Sequence, residues 1–262
     1  MRVLKSNIFI FIFAGVLLNG FASDNSKKNV VIIPKGQSRS FMLTNYNSTF
    51  YFAETSSKNS LSFQGFNVQT HEFLEDYVLE ANDTPIKRED AEIYLYPNKL
   101  VRKYSDVPLE EEITLSDSLP VLVIKLHSKE KLSMAVSPQI SDNGKSKNYL
   151  NQWKEDENIL FIAKRSHTVR NDENDYPVWT GVYVYPGATF TGSNYSGSNV
   201  RMVKSEGFVP GRLTFVLDGT AYIFFIVGDD KNDVLAKRKH VLKQFNIYLE
   251  KSGKKIEGVR RT

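Results

Sequence analysis

The 262-residue sequence predicts a mainly β protein, a large antiparallel β-sandwich followed by one C-terminal amphipathic helix that serves as a linker. Two observations carry that prediction. Up to Val227, short runs rich in Val, Ile, Leu, Phe and Tyr alternate with clusters of Gly, Pro, Asn, Asp and Ser, the pattern of strands and turns in a sandwich or barrel. At Gly228-Asp229 the apolar period changes from two residues to about 3.6, so a helix begins there. The resulting plan is a signal peptide over 1–22, a β-sandwich domain over 23–228, and a helix with a basic tail over 229–262.

Arg2 and Lys5 precede the apolar run Ile8 to Leu18, and small residues follow at Gly20 and Ala22, the three-part plan of a secretory signal cut after Ala22. A run of about eleven residues is too short to span a bilayer core of roughly 30 Å, so no membrane contact is expected after cleavage. An uncleaved anchor is the alternative. Cysteine is absent, which excludes a lipid attached through cysteine and any disulfide framework. A soluble exported protein, periplasmic or extracellular, is therefore expected.

Beyond the polar stretch Asp24 to Asn29, Val30 to Ile33 is the first strand, stopped by Pro34 and Gly36. Ser38 to Leu43 and Thr49 to Glu54 read as a strand pair, and Leu61 to Val68 as a further strand in which Gly65 signals a bulge or a close backbone approach. Phe50, Phe52, Phe224 and Phe225 read as core. Phe73 to Glu80, Ala91 to Tyr96 and Leu100 to Tyr104 follow, separated by Asn82-Asp83 and Pro97-Asn98. Glu92, Tyr94 and Tyr96 share one face and Ile93 and Leu95 the other, so this strand has one dry and one wet side. Next come Glu112 to Leu115, Val121 to Leu126 and Leu132 to Val136.

Ser141 to Asn158 is polar, with Tyr149, Leu150 and Trp153 as anchors, and reads either as an insertion or as a short helix. Ile159 to Ala163 and Val178 to Tyr185 resume the strand pattern on either side of the acidic segment Asn171 to Asp175. Gly187 to Asn199 reads as a long loop carrying Phe190 and Tyr195. Val200 to Lys204, Arg212 to Leu217 and Thr220 to Val227 close the β part, with Asp218-Gly219 as a hairpin turn. Asp229 or Asp230 caps the helix, whose Val234, Leu235, Val241, Leu242, Phe245, Tyr248 and Leu249 fall on one apolar stripe. That stripe needs something to cover, and Val234, Val241, Phe245 and Tyr248 are the expected partner interface.

The formal net charge is +4, unevenly spread. Gly228 to Thr262 holds ten Lys or Arg against five Asp or Glu, whereas residues 23–227 are mildly acidic. This distribution argues against a nucleic-acid groove on the body of the protein.

Chemistry-bearing motifs are sparse. His71, His127, His167 and His240 lack metal-ligand spacing, and His71-Glu72 opens like a zinc-protease motif but has Glu75 where the second histidine belongs. Gly192 to Gly197 has the wrong spacing for a nucleophile elbow, and no Gly-rich phosphate cradle is present. No catalytic residue and no cofactor is assigned. The carboxylate clusters Glu110 to Glu112, Glu155 to Glu157 and Asp172 to Asp175 suit a glycosidase pair or a calcium site, with Asp172 and Asp175 the best oxygen ligands. The alternative, and the reading to prefer for such clusters, is solvated loops and strand ends. Trp179, Tyr183 and Tyr185 alternate on one strand face beside the loop bearing Tyr195, an arrangement that offers stacking surfaces to sugar rings or, alternatively, a half-buried sheet face.

The segments Phe50-Tyr-Phe-Ala-Glu-Thr55, Phe63-Gln-Gly-Phe-Asn67 and Ala221-Tyr-Ile-Phe-Phe-Ile-Val-Gly-Asp-Asp230, in this order of parts, resemble the N-terminal β-supersandwich of the glycogen-debranching and glucoamylase-like glycoside hydrolases. The resemblance extends over Asn29 to Thr262. It implies that a helical linker joins the sandwich to an (α/α)6 barrel holding the catalytic acid and base. Because this sequence has no such barrel, the resemblance implies a noncatalytic module and transfers no catalytic residue. Three functions stay open: a module packing against a separate catalytic domain or subunit in α-glucan processing, a stand-alone periplasmic carbohydrate-binding protein taking an α-glucan oligosaccharide, or a small enzyme with a carboxylate pair.

Overall fold

In chain order the strands are β1 (Val31–Ile33), β2 (Ser40–Thr44), β3 (Thr49–Glu54), β4 (Gly65–Val68), β5 (His71–Leu74), β6 (Asp76–Ala81), β7 (Thr84–Pro85), β8 (Ala91–Tyr96), β9 (Lys99–Tyr104), β10 (Leu109–Leu115) and β11 (Val121–Gln139). They continue with β12 (Tyr149–Lys154), β13 (Ile159–Arg165), β14 (Pro177–Tyr185), β15 (Thr189–Thr191) and β16 (Arg212–Gly228), followed by helix α1 (Lys231–Gln244). This computed structural model describes residues 30–45, 48–61, 63–69, 71–140, 149–165, 177–192 and 210–245. The predicted signal peptide, Asp172, Asp175, Tyr195, Tyr248 and the strand expected over Val200 to Lys204 lie outside the described residues.

The predicted class is the observed one. All pairings are antiparallel, and the strands form a twelve-stranded sheet and a four-stranded sheet. The small sheet runs β2-β3-β4-β5, and the main path of the large one runs β1-β8-β9-β10-β11-β16-β14-β13-β12. Alternation dictates how they face each other: β2 buries Phe41 and Leu43, β3 buries Tyr51 and Ala53, and β10 buries Leu109, Glu111, Ile113 and Leu115. Phe41, Tyr51 and Phe66 from the small sheet share one core with Leu100, Ile113, Ile124 and Phe225 from the large one.

A second core lies on the opposite side of the large sheet. The run Ile223-Phe224-Phe225-Ile226 is apolar on both faces, so alternate residues need two different covers. Phe225 enters the inter-sheet core, while Phe224, Ile226, Val121, Val123, Ile159 and Phe161 point the other way and are covered by α1. The molecule therefore has three layers: small sheet, large sheet, helix.

The helix corrects the expectation of an open partner interface. Asp230 caps it by accepting from the Asp233 backbone N–H at 2.8 Å. Val234 and Val241 are fully buried and Leu242 is 2% exposed, all against the sheet of their own chain. Val234 sits in a notch where a Cβ on Gly181 would come within 2.4 Å of its Cγ1 and one on Gly228 within 2.9 Å of its backbone nitrogen. Phe245 is half-buried, its ring 5.9 Å from Tyr222 and 6.1 Å from Phe224. The described part of the stripe covers the outward-facing apolar residues of β11, β13, β14 and β16 and is satisfied within its own chain.

Several element boundaries also differ from expectation. Asp218-Gly219 is not a hairpin turn: β16 runs through it as one 17-residue strand, with Gly219 at φ 79°. Both of its halves pair with β11, a 19-residue strand formed where two short ones were expected. An irregularity between Ser128 and Leu132 lies opposite Gly219 and Leu217, so the bend is shared by both strands. The expected strand Phe73 to Glu80 is divided at Glu75, where the chain passes from the small sheet to the large one. Tyr149 to Lys154 is a strand and not a helix, and Thr189 to Thr191 pairs with β16 inside the expected loop.

The strand expected from Leu61 starts only at Gly65, leaving Leu61 and Phe63 each 60% exposed. The backbone approach signalled by Gly65 is present, since a Cβ there would lie 2.1 Å from the Leu74 carbonyl oxygen. Phe50 and Phe52 are half-buried on the outer face of β3, because the alternation turns Tyr51 and Ala53 into the core instead.

Candidate functional site

The deepest polar structure lies between the two sheets. On β9 and β10 the inward positions opposite each other are Arg102 and Glu111, both fully buried. Arg102 Nη1 donates to Glu111 Oε2 at 3.0 Å, and the Tyr104 hydroxyl donates to the same oxygen at 2.8 Å. The Tyr77 hydroxyl donates to Glu111 Oε1. The remaining guanidinium donors cross to the small sheet, with Nε reaching the Thr55 carbonyl at 2.7 Å and Nη2 the Glu54 carbonyl at 3.2 Å. Arg102 thus ties both layers together through its guanidinium donors.

A second pair adjoins it. Arg88 grips Asp76 through both terminal nitrogens, at 2.6 and 3.0 Å, donates to the Tyr77 carbonyl at 2.6 Å, and lies 4.6 Å over the Tyr77 ring. Above it opens a cleft of about 360 Å3 whose lining includes Ser56, Leu79, Ile86, Arg88 and Tyr104. The Tyr51 hydroxyl is buried nearby without a partner among the described residues.

Burial opposes ionisation of Glu111, yet Arg102 and Arg88, with the Tyr77 hydroxyl, hold its carboxyl below the ordinary carboxylate value. Burial and the charge of Glu111 push the Tyr77 and Tyr104 hydroxyls well above their ordinary value. A carboxylate kept ionised by three donors carries no proton to donate near neutrality, and its bonds fit a brace between the two sheets.

The direction of the Glu111 shift fixes a pH dependence. A folded-state value below the unfolded one gives stability that is complete above the ordinary value of 4.5 and is lost as the pH falls through the lowered value. The urea midpoint is therefore expected to fall progressively below about pH 4.5, and Glu111→Gln is expected to flatten that acid limb while lowering the midpoint at neutral pH. An acid limb of unchanged slope in the variant would assign the titration to other carboxylates. Tyr77 and Tyr104 have the opposite sign: their stability is complete below pH 10 and lost as the pH rises above it.

The sequence-predicted aromatic platform is largely occupied. Tyr183 is 3% exposed, with Phe224 beneath it and the Arg238 guanidinium 5.1 Å above its ring, and burial pushes its hydroxyl up to about 12. Trp179 is half-buried, its ring meeting Phe161 edge-on and carrying the Lys231 ammonium at 4.6 Å. Tyr185 alone of the three keeps a half-open ring without a cation over it. Helix docking is the reason, since α1 lies on the face where a sugar would have to stack. Arg238 also pairs with Glu157 at 2.5 Å, drawing one of the candidate carboxylates into the helix attachment. Among the described residues no group of three or more His, Asp or Glu side chains is placed to hold a metal ion.

Beyond α1, no further element among the described residues covers the same outer face. Glu110 and Glu112 on β10 stand beside Lys125 and His127 on β11 and Thr220 on β16, around a concavity of about 270 Å3. Glu111 faces the core while Glu110 and Glu112 face solvent, so the acidic triplet divides by strand alternation. Sequence reasoning named Glu110 to Glu112 as one carboxylate cluster but missed its division between two faces, although Leu109 and Ile113 on either side of Glu111 carried the signal.

Compared by sequence, the chain matches no family model and no curated protein. Compared by structure, it is similar to parts of longer carbohydrate-active enzymes. A bacterial glucoamylase complexed with acarbose shares 12% identity over 84% of this chain and 39% of its own, with a TM-score of 0.46. A family GH92 α-mannosidase from Bacteroides thetaiotaomicron shares 12% identity over 81% of this chain and 32% of its own, with a TM-score of 0.42. A heparinase III shares 8% identity over 77% of this chain and 37% of its own, with a TM-score of 0.38. The chain therefore spans less than two-fifths of the length of each of these three.

Proposed function

We propose that this chain is a noncatalytic β-module of an exported, α-glucan-processing enzyme of the glycogen-debranching kind, and that it packs against a catalytic domain or subunit of (α/α)6 type. One observation supports a docking role above the others. With α1 satisfied inside its own domain, apolar surface remains exposed on the outer face of the small sheet. Met42, 52% exposed, stands opposite the half-buried Phe52, with Phe50 two residues along. Phe63, 60% exposed, stands just ahead of β4, and its carbonyl accepts from Asn67 Nδ2 at 3.0 Å. Exposed apolar side chains gathered on one sheet face support a contact with another protein surface. The partner interface thus moves from the helix to the small sheet.

The buried Glu111 cluster adds a second support, because it assigns the most enclosed carboxylate a bracing role. The isolated protein is expected to release no reducing sugar from maltose-type or α-1,6-linked glucans beyond a protein-free blank. Turnover that a single carboxylate substitution abolishes would make the chain an enzyme in its own right and overturn this reading.

A further inference from the structure

We propose that the open half of the outer face of the large sheet is a binding groove for a neutral polyhydroxylated chain, a saccharide, centred on β10, β11 and β16. Its outline follows from register. One row across the sheet runs Tyr94, Val101, Glu112, Lys125, Tyr222 and Tyr185; the next runs Glu92, Lys103, Glu110, His127 and Thr220. Helix α1 covers the far side, over β14 and the end of β16, and contributes the wall formed by Phe245 against Tyr222. From β8 to β16 the uncovered strip is roughly 19 Å wide at a strand spacing near 4.8 Å.

The chemistry of the strip selects the ligand. Acceptors and donors alternate at strand spacing, and their charges balance. Glu112 Oε2 takes Lys99 at 2.7 Å and Glu110 Oε2 takes Lys103 at 3.5 Å, while Lys125 adds a cation between the two carboxylates and β16. His127 Nδ1 bonds Thr220 Oγ1 at 3.2 Å, which fixes the imidazole beside them. A polyanion would meet the carboxylates and a polycation the lysines, but hydroxyl groups both donate and accept and so satisfy both. Tyrosines stand at each end of the strip: Tyr222 and Tyr185, 6.4 Å apart, against the helix wall, and Tyr94 and Tyr96 at the other end, where the Lys103 and Lys99 ammonium groups lie 5.0 and 5.3 Å from their ring centroids. The half-open Tyr185 ring is of the kind that packs on the C–H surface of a sugar ring. The groove shares Tyr185 with the sequence-predicted platform, whose Trp179 and Tyr183 pack against α1 residues.

The test uses the full chain in native gels containing soluble starch, a mixed-linkage β-glucan, a mannan, or the polyanion polygalacturonate. Retardation by at least one neutral polymer is expected, persisting at about 0.5 M salt, where exposed ionic contacts are screened. Lys125→Ala, Glu110→Gln and Tyr222→Ala should each weaken it about tenfold or more, with urea midpoints reported for every variant so that loss of binding is separated from loss of fold. Absence of retardation by all three neutral polymers, retardation by polygalacturonate alone, or full retention in the folded Lys125→Ala and Glu110→Gln variants would each overturn the groove. These outcomes are independent of the glucan-turnover assay. Failure to bind leaves the docking module intact, and catalytic turnover would overturn the module while leaving the groove to stand or fall by its own variants.

Discussion

Arg102→Met is expected to lower the unfolding free energy by about 3–5 kcal/mol, the range for removing one partner of a buried ion pair. The loss has three components. Glu111 keeps its charge with its main counter-ion gone, in a position with no exposure to water. The Thr55 and Glu54 carbonyls lose their donors from across the sandwich. The Tyr77 and Tyr104 hydroxyls and the more distant charge of Arg88 then support a carboxylate that has lost its direct ion pair. A double variant, Arg102→Met with Glu111→Leu, is expected to recover a large part of the loss, since replacing both members with apolar groups removes the stranded charge. Urea unfolding measured on both proteins checks this. If Arg102→Met alone changes stability by less than about 1 kcal/mol, the network is not the brace described above.

Val234→Asp is expected to cost about 3 kcal/mol or more, through an unpaired carboxylate placed in the notch between Gly181 and Gly228. The damage should be localised. Amide exchange over 231–244 should accelerate by orders of magnitude, and Trp179, relieved of Lys231, should redshift in fluorescence. The sandwich core between the sheets should keep its protection, because Phe225 and Ile124 belong to the other cluster. Wild-type stability and wild-type exchange in this variant would mean that α1 spends its time away from the sheet, and would restore the helix as a partner surface.

How far the sequence foretold the structure depended on the range over which each signal acts. Period-two alternation acts between neighbours, and it placed Ile93 inside and Glu92 outside correctly. Gly65 foretold a close approach because the cost of a Cβ is a local matter. Asp218-Gly219 misled for the same reason. The pair has the local chemistry of a turn, but a turn there would have taken both halves of β16 away from β11, whose 19 residues offer a partner along the whole length. Tertiary pairing outweighed turn preference.

The helix stripe was legible as apolar but its cover was not. Periodicity reports that Val234 and Val241 must be buried and says nothing of where. The missing half of the inference was in Ile223 to Ile226, whose two apolar faces imply a layer on each side of the sheet. Reading the two together would have seated the helix on the strand it follows. The open groove was hidden for a different reason. Its residues come from β10, β11 and β16, and Glu110 and Thr220, 110 positions apart in sequence, become neighbours only through the strand order.

The partnership of β11 and β16 governs how this chain must come together in time. Residues 121–139 cannot be closed on their main hydrogen-bonding neighbour until residues 212–228 exist, so the seam at the centre of the large sheet waits for the last described strand to leave the ribosome. Assembly dominated by contacts so distant along the chain is slow, and a nascent form lacking β16 exposes the unsatisfied edge of β11 together with Leu122, Ile124 and Leu126. Such an intermediate invites capture by a chaperone, which makes the order of synthesis itself a delay on maturation.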